Sequence, residues 1–81
     1  MAVDYHLPHT KAEALQQLKH WLRNKYGLDL SLFNDFLLEH YNVGLKQSLA
    51  EHWQYGDGLG YVSYVITEGI EDTLMKVLAD A

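Results

Sequence analysis

Cysteine is absent from this 81-residue chain, proline occurs once, and six lysines and arginines stand against eleven acids. Without cysteine there is no disulfide framework and no thiolate metal site, which fits a reducing, cytoplasmic setting. No stretch approaches the ~18 apolar, uncharged residues of a membrane span. Met1 to Thr10 lacks a basic segment followed by an apolar run, so no secretory signal is expected there. The formal charge of −5 and a sequence pI near 5.3 argue against a duplex binder, which normally presents a basic face.

Motifs for chemistry are equally scarce. The five histidines are His6, His9, His20, His40 and His52. None belongs to the His-x-x-x-His or Glu-x-x-His pairs that put two ligands one turn apart on a helix. Glu39-His40 and Glu51-His52 are sequence neighbours, and neighbours on a helix diverge by about 100°, so they do not chelate together. A cross-helix site from Glu39, His40 and His52 is the remaining metal reading, and surface or half-buried histidines are the plainer one. Gly56-Asp57-Gly58-Leu59-Gly60 lacks the lysine and the preceding strand of a phosphate loop, Tyr61 follows Gly60, and Asp57 repels anions. It reads as a turn. Ser31, Ser48 and Ser63 lie in no nucleophile elbow; Ser31 fits a helix cap and Ser48 an exposed helical position. Asp35 and Glu39, one turn apart, would share a proton only in a dry cleft; otherwise they are a solvated edge. No catalytic residue, cofactor or metal is expected, and the chain reads as a non-enzyme.

What the sequence does contain is helical rhythm. Hydrophobic residues make up 48%, enough for one core and too many for disorder. Thr10 and Glu13 have the spacing of a capping box. Leu15, Leu18, Trp21, Leu22 and Tyr26 then step by three and four along one face, and Gly27-Leu28 offers a left-handed stop. A second helix starts after Asp29 or Ser31, with Phe33, Phe36, Leu37 and Tyr41 inward and Leu32 and Leu38 broadening the apolar face. Asn42 and Gly44 interrupt, and Leu45, Leu49 and Trp53 resume the rhythm. Beyond the glycine turn, Val62, Ile66, Ile70 and Leu74 predict one long C-terminal helix, with Gly69 its only local offence.

The expected fold is therefore all-α: a compact bundle of about four short helices, near 10–26, 31–41, 43–54 and 60–79. An extended N-terminal arm, 1–9, precedes a single helical domain, 10–81. The alternative is α+β, because residues 61–66 are rich in aromatic and β-branched side chains and would form a short strand pairing with 2–7.

Charge and aromatics carry the functional reading. Lys11, Lys19, Arg23 and Lys25 against Asp4 and Glu13 leave residues 1–26 at +2, while residues 27–81 stand at −7. Ten of 81 residues are aromatic, more than so small a core hides, and Trp53, Tyr55, Tyr61 and Tyr64 cluster around the glycine turn. Aromatics at a part-exposed loop favour protein contact, the competing role being to plug the end of the bundle. The expectation is a small adaptor, inhibitor or regulator that binds another protein through those four residues. Its size and charge division favour a homodimer. The alternative is a nucleic-acid-associated regulator using a basic patch of Lys19, Arg23 and Lys25.

Overall fold

The computed structural model describes residues 7–80. Within that range the chain forms six helical segments and no strand: α1 Lys11–Tyr26, α2 Leu30–Tyr41, α3 Leu45–His52, the single turn α4 Tyr55–Gly58, α5 Tyr61–Thr67 and α6 Ile70–Ala79. The all-α expectation holds. The strand at 61–66 does not, because those residues are helical in α5; of its proposed partner, 2–7, residues 2–6 lie outside the described residues and Leu7 is in no strand.

Local chemistry explains where the helices begin and end. Thr10 is the N-cap of α1, its hydroxyl accepting from the Glu13 amide at 3.1 Å, and the Glu13 carboxylate reaches back to the His9 amide at 3.2 Å. These contacts satisfy donors that the first turn leaves without an intrahelical acceptor. At the other end Gly27 turns left-handed (φ 67°), and the amides of Gly27 and Leu28 return to the carbonyls of Arg23 and Leu22. Asp29 caps α2 by accepting from the Leu32 amide at 2.9 Å. Asn42 ends that helix in the left-handed region, and Asn34 reaches forward to accept from the Leu45 amide at 2.8 Å. That contact ties the start of α3 to α2.

The expected long C-terminal helix is two helices. Gly69 adopts φ 79°, a conformation no helix interior contains, and separates α5 from α6. With hydrophobic residues on both sides keeping a four-residue step, the periodicity passes through the break unseen. The bend lets α5 pack on α1 while α6 turns back along α5. Trp53 ends α3 rather than lying within it.

The core is one cluster. Ala14, Leu18, Trp21 and Leu22 of α1 meet Phe33, Phe36 and Leu37 of α2, Leu45 and Leu49 of α3, Tyr61, Val62 and Val65 of α5, and Ile70 and Leu74 of α6. Against expectation, Tyr61 is fully buried, and so is Ser48: their hydroxyls lie 2.8 Å apart inside the core. Each supplies the hydrogen bond that the other needs to be buried cheaply. Among the described residues no buried side-chain nitrogen or oxygen lacks a partner.

Candidate functional site: an apolar groove between two helices

Three of the four aromatics singled out from the sequence, Tyr55, Tyr61 and Tyr64, are brought together, mostly against one another. The Tyr64 ring stacks on the His52 imidazole, 3.9 Å between centroids and 7° from parallel. It also meets Tyr55 edge-on at 5.3 Å and Tyr61 at 5.5 Å. The Tyr55 hydroxyl donates to Glu68 at 2.8 Å, and that hydrogen bond, with smaller help from burial, raises its pKa above the usual tyrosine range. Trp53 packs against the core from a half-buried position. Tyr61 is corrected outright, from contact surface to core. Burial pushes its pKa up to about 12 against the opposing pull of the Ser48 hydrogen bond. Trp53, Tyr55 and Tyr64 remain part-exposed.

The basic patch is divided in the same way. Lys19 and Arg23 are exposed, one turn apart on α1, with no carboxylate within ion-pair distance among the described residues. Lys25 is committed elsewhere. Its ammonium donates to Glu71 at 2.7 Å and lies 5.7 Å from the ring centres of Trp21 and Tyr26. The Tyr26 hydroxyl donates to the same carboxylate oxygen at 2.5 Å. Burial alone would raise the Glu71 pKa; the hydrogen bonds from Lys25 and Tyr26 and the Lys25 charge outweigh it and hold the carboxyl below its ordinary value. Tyr26 moves the other way, raised by burial and by facing that anion. Glu71, which no sequence motif singles out, is a buried clamp between α6 and the end of α1.

A site the sequence reading missed lies between α2 and α6. The two helices leave an open groove of about 320 Å³. Phe36 and Leu74 form its floor, with Leu28, Leu32, Val77 and Leu78 as walls. Asp35, Glu39 and His40 complete the lining. Leu32 is 53% exposed and Leu78 36%, so apolar side chains stand in water on both helices. The signal was present: Leu32 and Leu38 widened the apolar stripe of α2 beyond what one buried face uses, and both are exposed. Asp35 and Glu39 are the solvated edge anticipated for them, but that edge borders an apolar trough. Among the described residues no group of three metal-ligating side chains converges, His40 and His52 included, and no helix is long and apolar enough to cross a membrane.

Comparison with protein-family models, with curated proteins and with solved structures finds no match for the chain. The functional reading therefore rests on the geometry.

Proposed function

We propose that this protein is a small, non-enzymatic docking domain of the cytoplasm that acts as an adaptor, inhibitor or regulator by receiving a helix of another protein in the α2–α6 groove. One observation carries the reading: apolar side chains from two helices flank a continuous trough that the rest of the described chain leaves uncovered. Laying the apolar face of an amphipathic helix into such a groove is a recurring mode of recognition. Each large anchor buried there contributes roughly 1.5–3 kcal/mol. The groove is too open to surround a small molecule, which buries most of its surface in a pocket.

The test compares the tagged wild-type chain with a Leu32→Glu/Leu78→Glu variant in pull-downs from the native host. The reading requires a protein retained by the wild type and lost by the variant at unchanged melting temperature. Equal retention by both would sink it.

Self-association is a second reading with its own support. Leu59, ahead of α5, and Ile66, near its end, are each about half exposed and lie outside the groove lining. A two-fold dimer that covered them would bury that apolar area. Light scattering across the micromolar range decides it, a constant monomer mass removing the dimer.

A further inference from the structure

The groove's polar border points to the kind of helix that fills it. We infer that the occupant is a basic amphipathic helix of a different protein, its apolar face on Phe36 and Leu74 and its lysines or arginines over Asp35 and Glu39; this rests on the groove reading above.

Three observations converge on that partner. First, the border is acidic and uncompensated. Asp35 has no cation within ion-pair distance among the described residues, and Glu39 has only the neighbouring His40 imidazole at 4.0 Å. Both carboxylates line the trough one turn apart, so they meet charges spaced one turn apart on a helix lying along it. Second, the surroundings share the sign: residues 27–81 carry −7, a field that attracts a cationic segment and speeds its encounter. Third, a second copy of the chain does not supply the ligand. Of its six exposed basic residues, Lys46 and Lys76 stand singly in the −7 part of the chain, Lys25 pairs with Glu71 and Lys11 begins α1, while Lys19 and Arg23 share the outer face of α1 with Gln16, His20 and Asn24, and the large apolar residues of that helix are turned inward. Such a face brings charge without anchors. Apart from Leu7, the large exposed apolar residues of a second copy lie in residues 27–81, whose −7 charge opposes their approach to the acidic border.

The same pattern excludes acidic and neutral helices by degree. Exposed ion pairs contribute little individually, so two carboxylates should favour a cationic helix over its neutral counterpart roughly fivefold, falling as salt rises. Affinity comes from the anchors and selection from the border.

The experiment pans the full chain against displayed helix-forming peptides of about 18 residues, five turns. Leucine is fixed at i, i+4 and i+7, and all other positions are randomised. Enriched peptides are then measured by fluorescence anisotropy against wild type, Leu32→Glu/Leu78→Glu and Asp35→Asn/Glu39→Gln, with circular dichroism confirming that each variant is folded. The inference requires enriched peptides rich in lysine and arginine on the face flanking the leucines. Their binding should fall at least tenfold in the leucine variant and roughly fivefold in the neutralised one. Neutral or acidic winners that still depend on Leu32 and Leu78 would overturn the basic partner and leave the groove standing. Winners indifferent to Leu32 and Leu78, or no enrichment, would overturn groove and partner together. A dimer by light scattering that Leu78→Glu dissolves would make a second copy the occupant and refute the inference.

Discussion

Where α1 meets α5, Trp21 and Tyr61 are sealed from solvent, and a Cβ placed on Gly60 would stand 3.1 Å from the Pro8 ring. Where α2 meets α6, Leu32 and Leu78 remain substantially exposed around an open trough. Both regions are built from the same residue types on amphipathic helices, so composition does not separate them. The difference is that the first is finished within the chain and the second is not. A domain this small has a narrow stability margin and gains by burying every apolar side chain within reach. On the reading proposed above, the leucines left in water on these two facing helices are the ones a partner would cover.

The most severe way to test that contrast is to damage the finished side. Tyr61→Ala should remove a fully buried ring and leave the Ser48 hydroxyl without its partner, at about 4 kcal/mol. Against a total stability of roughly 5–15 kcal/mol, urea unfolding should show the midpoint collapsing or no folded baseline at all. A midpoint within the error of wild type would show that the α1–α5 side is no better packed than the groove. Next comes Gly60→Ala. Gly60 sits at φ 100°, a region side chains avoid, and the added methyl would press on the rigid Pro8 ring, with Gln17 Oε1 3.5 Å away. The expected loss is about 2–3 kcal/mol, read by the same titration. Equal stability would mean that Pro8 moves aside and does not seal that edge.

A milder change probes the link between the two sides, since Glu71 joins α6 to the end of α1. Glu71→Gln should lose about 1 kcal/mol at pH 7, held to that by the half-exposed Lys25 partner. The sign of the pH dependence follows from the lowered pKa. The folded chain holds fewer protons at this site than the unfolded one near its ordinary pKa of 4.5. The contribution of Glu71 is therefore complete above that value and disappears as pH falls through the lower folded value. Urea midpoints collected from neutral pH downward should drop in acid for wild type and drop less for the variant. Parallel curves would remove Glu71 from the acid response.

Much of this contrast was legible in the residues, and the rest was not for identifiable reasons. The caps at Thr10 and Asp29 and the stops at Gly27 and Asn42 are local chemistry, decided within a few residues, and so is the helical period of α1 and α2. Gly69 was visible as an irregularity but not as a break. A four-residue apolar step continues across it, and only the packing of α5 on α1 settles which conformation the glycine takes. Burial of Tyr61 and Ser48 is likewise a long-range outcome. A tyrosine beside a glycine turn suits surface and core alike, and what decides is a hydroxyl thirteen residues away. The groove failed to register because a surplus of leucine on one helix shows that something is unfilled without saying which second helix forms the other wall.

The smallest expected effect is the most discriminating for the open side. In α2, Leu32 is the third residue after the Asp29 cap, the position at which a glutamate completes a capping box and meets the positive end of the helix dipole. Leu32→Glu forfeits little buried area, because the side chain is already 53% exposed, and gains a favourable terminal charge. The two contributions should cancel to within about 0.5 kcal/mol, leaving the melting temperature nearly unchanged. The identical chemical change at a sealed leucine such as Leu18 would bury an unpaired carboxylate and unfold the domain. If Leu32→Glu instead destabilises the isolated protein strongly, Leu32 already has an occupant within the chain, and the trough is core rather than a place for a partner.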